Sequence, residues 1–166
     1  MQFDLKAFLE RGRTPYQTAF SLDLSGRDFP GYRVEAPARV RFCALPTAEG
    51  ARLTCEIEAE TAGECARCLA PARRPYAFCR EWQVRPADLA GGELELPLLP
   101  GGLLPLDELV YQELVLEAET LLLCRPGCEG LCPVCGRPRL AGCGCAVAQE
   151  GPSPDPRLAG LKRLLD

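Results

Sequence analysis

The chain has 166 residues, 47% of them apolar and 25% charged, with a net charge of -4. That length carries one domain with a real core plus a small appended module, and the net negative charge excludes a protein that coats nucleic acid by bulk attraction. Eleven cysteines and no histidine are the departure from the ordinary, and the missing imidazole removes the commonest general base, which argues against an enzyme.

Met1 to Gln17 carries charges throughout and has no apolar h-region, and no uninterrupted apolar run approaches the roughly 20 residues of a membrane span. A reducing, cytoplasmic location with no membrane partner is therefore expected. Clustered thiols in such a compartment bind metal rather than pair as disulfides, and an odd total leaves full internal pairing out of reach.

Taken in chain order, residues 1–15 predict a short helix (Leu5, Phe8, Leu9) packed by its apolar edge and ended by Gly12 and Pro15. Phe20, Leu22 and Leu24 then alternate with Ser21 and Asp23 as in a strand. Val34 to Leu45 and Arg52 to Thr61 alternate on either side of the turn Pro46-Thr47-Ala48-Glu49-Gly50, which predicts a hairpin. Arg74 to Val84 predicts a further strand, with Tyr76, Phe78 and Trp82 at even spacing. A connector rich in proline, glycine and leucine follows, with one short strand at Glu93 to Leu96. Asp107 is placed to cap a helix whose apolar stripe runs through Val110, Tyr111, Leu114, Val115, Ala118, Leu121 and Leu122. The five acids of that stretch (Asp107, Glu108, Glu113, Glu117, Glu119) read as its solvated outer face, with an acidic docking surface as the sharper reading. The last residues, after a linker, give Asp155-Pro156 and then Leu158, Leu161, Leu164 and Leu165, an amphipathic C-terminal helix.

The fold class that follows is α+β: an antiparallel sheet, open or barrel-like, with a few helices and a C-terminal cysteine-rich module like a zinc ribbon. The expected divisions are a core domain over 1–123, a metal-binding module over 124–146, and a linker with helix over 147–166.

The cysteines carry the chemistry. Structural zinc takes four tetrahedral thiolate or imidazole ligands, and two cysteines two residues apart across a tight turn can aim both sulfurs at one ion. Cys132-Pro133-Val134-Cys135-Gly136 has that form, and Cys143-Gly144-Cys145 offers a second pair seven residues on. Together they make one complete site. Cys65 and Cys68 form another such pair, while Cys124 and Cys128 are spaced by four. These two half-sites are expected to converge on a second metal, stapling the sheet to the cysteine-rich segment. The alternative is one ion held by four of the last six cysteines, with Cys65 and Cys68 left as a structural or redox pair. Cys43, Cys55 and Cys79, isolated within strand patterns, read as small core residues.

Two rival chemistries are weaker. Cys128-x3-Cys132-x2-Cys135 has the spacing of radical-type iron–sulfur enzymes, which need a large barrel that this chain is too short to supply. A thiol oxidoreductase would open a helix with its cysteine pair, and Pro71, close behind Cys65 and Cys68, opposes a helix there.

Glu64-Cys65-Ala66-Arg67-Cys68-Leu69, the helix beginning Asp107-Glu108-Leu109, the run Cys124 with Cys128-Glu129-Gly130-Leu131-Cys132-Pro133-Val134-Cys135-Gly136, Cys143-Gly144-Cys145, and Asp155-Pro156-Arg157-Leu158-Ala159-Gly160-Leu161 stand in an order that resembles the YceD family. These are the large ribosomal RNA subunit accumulation proteins, and the resemblance spans roughly residues 15–166. It implies a bacterial or plastid protein needed for normal accumulation of large-subunit ribosomal RNA, with no catalytic role. It also fits a shared site built from Cys65, Cys68, Cys124 and Cys128. The chain departs from the family at Arg137 to Gly142, where an asparagine-containing turn is common.

The functional expectation is a zinc-stabilised, non-enzymatic ribosome-biogenesis factor, with one or two Zn²⁺ ions, binding ribosomal RNA or a large-subunit ribosomal protein and no small-molecule substrate. Local charge supports RNA contact: five arginines (Arg67, Arg73, Arg74, Arg80, Arg85) against Glu81 between Cys65 and Arg85, interleaved with Tyr76, Phe78 and Trp82. Arg67, Arg73, Arg74 and Arg80 are the candidate RNA contacts. Strand alternation offers the plainer account, with rings in the core and arginines in solvent. A zinc-stapled protein-interaction module is the second reading and a thiol redox protein the third.

Overall fold

A computed structural model describes residues 1–91 and 94–145. Along the chain it gives β1 (Gln2–Asp4), α1 (Leu5–Arg11), β2 (Tyr16–Leu22), β3 (Arg33–Val34), β4 (Ala38–Pro46), β5 (Ala51–Glu64), β6 (Pro71–Val84), α2 (Asp88–Gly91), β7 (Leu103–Pro105), α3 (Leu106–Glu117) and a 3-10 turn at Arg139–Ala141. By internal contacts the chain divides after Cys128 into a first unit, Met1–Cys128, and a second that begins at Glu129. Cys124 and Cys128 thus go with the sheet.

The first unit is built on an antiparallel sheet. β4 pairs with β2 on one side and β5 on the other, β6 runs the whole length of β5, and β3 pairs with the far end of β5 at Ala62 and Thr61. The sheet is open: among the described residues β2 and β6 pair with no further strand, so the barrel-like option is not taken. Its pleat sorts the side chains. Val40, Phe42 and Ala44 of β4 and Leu53, Cys55 and Ile57 of β5 face the core, and the intervening positions face water. There Arg39 stands opposite Glu58 and Arg41 opposite Glu56, and both pairs form ion pairs across the strands, the cross-strand matching that favours one register. Of the three isolated cysteines expected in the core, only Cys55 is buried, its thiol pushed up to about 12 by that burial. Cys79 is exposed and Cys43 half-buried, because they alternate onto the outer face.

Residues 1–15 differ from the single helix expected. Gln2–Asp4 pair with Leu103–Pro105 as a two-stranded sheet, and the helix starts only at Leu5. Asp4 caps it by accepting from the Ala7 N–H at 2.8 Å, a bond that needs a non-helical residue in front of the first turn. The short strand expected at Glu93 to Leu96 is also absent where described: Leu94–Leu96 are not a strand, Glu93 lies outside the described residues, and β7 forms instead.

α3 buries Leu106, Leu109, Val110 and Leu114 against the sheet. Pro105, not Asp107, occupies its N-cap position. Asp107 lies in the first turn with Glu108, where carboxylates favour the helix dipole, and it pairs with the Met1 amine at 3.4 Å. The helix ends at Glu117 rather than reaching Leu122, and the chain beyond it is used in the site described next. Glu113, expected on the solvated face, is buried. The expected linker over 147–154 and the C-terminal helix from Asp155 lie outside the described residues. No helix among the described residues is long and apolar enough to cross a membrane.

Candidate metal centres

β5 and β6 form one long hairpin, and its connecting loop is Cys65 to Ala70. The register, Glu64 opposite Pro71, leaves a six-residue loop that folds as a knuckle: the Cys65 N–H donates to Ala70 O at 2.8 Å and the Leu69 N–H to Cys65 O at 2.9 Å. Pro71 takes a strand-edge position where its missing N–H costs nothing. The chain leaving α3 then returns to this loop, where the Ala66 N–H donates to Leu122 O at 2.8 Å. That places Cys124 and Cys128 against Cys65 and Cys68.

The four sulfurs of Cys65, Cys68, Cys124 and Cys128 all lie within 4.8 Å of one another. Cys65 Sγ is 3.8 Å from Cys128 Sγ, and Cys68 Sγ is 3.6 Å from Cys124 Sγ. Four thiolates bonded to one ion at about 2.3 Å stand about 3.8 Å apart along each tetrahedral edge, so this spacing fits a metal. Cys65, Cys68 and Cys128 are buried.

In the second unit Cys132, Cys135, Cys143 and Cys145 form a like group, again with all sulfurs within 4.8 Å. The Cys132 N–H donates to Arg137 O and the Gly136 N–H to Cys132 O, both at 2.8 Å. This knuckle repeats the first bond for bond. Gly136 has φ 70° and its counterpart Leu69 has φ 60°, the left-handed conformation each knuckle needs so that the chain can fold back over the sulfurs. Leu131 and Pro138 bridge across the base of the knuckle, and the segment closes at Arg139–Ala141.

The electrostatics divide each group the same way. The backbone N–H of Cys124 holds the Cys65 thiol down to about 6, and the backbone N–H of Cys135 does the same for Cys132, also to about 6. Cys124 is pushed up to about 12 by its hydrogen bond with Cys68, and Cys145 to about 12 by its bond with Cys135. Four crowded thiols cannot all ionise beside one another without a cation, while main-chain donors aimed at sulfur favour the thiolate. Each group therefore has the donor set, the spacing and the amide support to hold one metal ion.

The four arginines singled out in the sequence do not form one free cationic face. Arg73 pairs with Glu35 at 2.8 Å and Glu60 at 2.9 Å, and Arg74 with Glu119 at 2.7 Å. Arg80 pairs with Glu113 at 3.1 Å and Glu117 at 2.6 Å. Glu119 offers its N–H to Tyr76 Oη. Glu113 and Glu117 of α3, and Glu119 just beyond it, are thus turned onto β6, while Asp107 and Glu108 pair with the Met1 amine and Arg27. Arg67 differs: Nη1 donates to Cys128 O at 2.7 Å, so the residue between the first two cysteines clamps the segment that carries the last. Nothing in the sequence signalled that bond, because its partner is a main-chain carbonyl.

The family profile for the "Large ribosomal RNA subunit accumulation protein YceD" matches residues 53–165. The chain belongs to the YceD family. Three relatives, one from Mycobacterium bovis and two from strains of Mycobacterium tuberculosis, are 35% identical over 121 residues, covering 70% of this chain and 56% of theirs; each is described only as an uncharacterised protein. The matched part thus spans little more than half of those relatives' length. No solved structure matches the chain. Both YceD cysteine groups fall inside the family match.

A variant of the second group tests its structural role. The described residues of that unit bury only Gly130 and Cys132, so an ion held by the four cysteines would take the place of a core. Cys132→Ser is expected to abolish order in residues 129–145, seen as collapse of their amide dispersion, while the melting of the sheet stays within about 1 °C of the parent, a shift worth a few tenths of a kcal/mol. Retained dispersion would show that this thiol holds no ion.

Proposed function

We propose that this YceD-family chain is a non-enzymatic ribosome-biogenesis factor supporting the accumulation of large-subunit ribosomal RNA in the cytoplasm, stabilised by two zinc ions. The observation that carries the reading is the family match, which contains both four-cysteine groups. Cys65, Cys68, Cys124 and Cys128 would hold one ion, and Cys132, Cys135, Cys143 and Cys145 the other. All-sulfur tetrahedral sets with no open position suit structural zinc. When bound, the ion neutralises the clustered thiolates and cross-links the hairpin loop to the segment after α3. No step of chemistry is assigned to it.

The partner is a large-subunit ribosomal protein or the ribosomal RNA itself. Ion pairing of Arg73, Arg74 and Arg80 favours the protein, since RNA phosphates would have to displace carboxylates already bound at 2.6 to 3.1 Å. Two measurements test the proposal. Native mass spectrometry is expected to give two zinc ions per chain; no metal with a mass lowered by disulfides would overturn the zinc assignment. Co-sedimentation with large-subunit precursor particles is expected, with a shallow dependence on salt for a protein contact and a steep one for phosphate contact. Absence of co-sedimentation at every salt concentration would remove the ribosomal role.

A further inference from the structure

The two knuckles share both of the main-chain bonds that close them, yet one left-handed position holds Gly136 and the other Leu69. A glycine there is free of strain, whereas a leucine crowds its Cβ against the carbonyl. Leu69 draws no compensation from the fold, because 60% of it is exposed. A strained backbone that presents an apolar side chain to water points to a use outside the chain.

The surroundings say what kind of use. Leu121, 68% exposed, immediately precedes Leu122, whose carbonyl holds the knuckle at Ala66. Leu69 follows Cys68 and Arg125 follows Cys124, two cysteines whose sulfurs are 3.6 Å apart. Arg27, Arg33, Arg39, Arg41, Arg73, Arg74, Arg80 and Arg85 all pair with carboxylates. Among the described residues Arg125 has no carboxylate partner within 4.0 Å, nor does Arg67, whose guanidinium keeps further N–H groups beyond its bond to Cys128 O. Leu69, Leu121, Arg67 and Arg125 are therefore gathered around one cysteine group, and among the described residues neither of these arginines meets a carboxylate.

We propose that the tip of the β5–β6 hairpin docks a polypeptide segment that carries apolar side chains next to carboxylates. The leucines bury apolar surface against it, and Arg125 and Arg67 meet its acids. An RNA strand would satisfy the arginines but would leave the leucines without a matching surface, since among the described residues no aromatic ring stands exposed beside the knuckle to stack a base. The inference rests on the function proposed above and narrows it: the segment belongs to the large-subunit protein partner.

The test uses the full, zinc-loaded chain, isotope-labelled, titrated with three short synthetic peptides of equal length in which leucine and phenylalanine alternate with aspartate and glutamate, with lysine, or with serine, and with an unpaired RNA oligonucleotide. The acidic peptide is expected to shift the amide resonances of Ala66, Leu69 and Leu121, with affinity falling about tenfold in Leu69→Gly and in Arg125→Glu, the loss of one anchoring contact. Leu69→Gly relieves the left-handed strain, so it should melt no lower than the parent and keep its metal; its lost affinity is then not unfolding. Equal shifts from the lysine or serine peptide, shifts from the RNA alone, or undiminished binding by both variants would overturn the surface. Co-sedimentation with large-subunit particles separates the two readings: a parent that sediments together with an equally competent Leu69→Gly sinks the docking surface and leaves the ribosomal role. Peptide binding by a parent that never sediments does the reverse.

Discussion

Cys65→Ser is expected to lose one of two metal ions and to lower the melting midpoint of the first unit by about 10 °C, some 3 kcal/mol in a unit of this size. Cys65 has no exposed surface, and its sulfur is 3.8 Å from that of Cys128, far away in the chain. A serine oxygen is a poor substitute for thiolate on a soft site and leaves a buried hydroxyl where a charge-supporting amide, that of Cys124, is aimed. The loop would then keep its Ala66 N–H to Leu122 O bond, its Arg67 to Cys128 O bond and the Cys68–Cys124 contact to the segment after α3, without an ion to join them. Cys79→Ser is the control, because Cys79 is exposed on the outer face of the sheet and surface changes of that kind cost little. Calorimetric melting and native mass spectrometry read both effects together. A Cys65→Ser protein that melts like the parent and keeps both ions would show that the cluster does not bind metal.

Arg80→Ala is expected to destabilise the fold by about 3 kcal/mol, more than a surface arginine should. Its partner Glu113 has a side chain only 10% exposed, so removing the guanidinium leaves a carboxylate in the core with nothing to balance it. The ring of Phe78, 5.1 Å from the Arg80 guanidinium carbon, loses a cation as well. Arg80→Ala combined with Glu113→Leu is expected to recover most of the loss, since the pair is then replaced by apolar volume rather than broken. Thermal melts of the three proteins decide the matter. A single variant as stable as the parent would return Arg80 to the set of free cations available for RNA, where the local sequence places it.

The sheet was legible because its signal is local. Alternation over Val34 to Leu45, Arg52 to Thr61 and Arg74 to Val84 follows from the two-residue pleat and finds β4, β5 and β6, with Pro46 to Gly50 as the turn between the first two. It runs through a break, however: Val34 belongs to β3 and pairs with Thr61, and β4 starts only at Ala38. The metal-binding character was legible for the same reason: Cys132-Pro133-Val134-Cys135-Gly136 writes a whole knuckle in five residues, with its left-handed glycine in place. Three things were not local. Residues 2–4 become a strand only because Leu103–Pro105 return to pair with them. Whether Cys65 and Cys68 meet Cys124 and Cys128 depends on α3 stopping at Glu117, so that Leu122 can reach the hairpin loop, and a helical stripe that continues to Leu122 in the sequence hides that stop. The charge of the arginine-rich strand was read from its neighbours in sequence, with Glu81 alone opposing five arginines. Its real counter-ions are Glu35 just after β3, Glu60 of β5, Glu113 and Glu117 of α3, and Glu119 just after α3, all brought in by packing. Residue spacing determines which turns and pleats the backbone adopts, but a charge or a thiol finds its partner through space, and only the closed fold decided those distances.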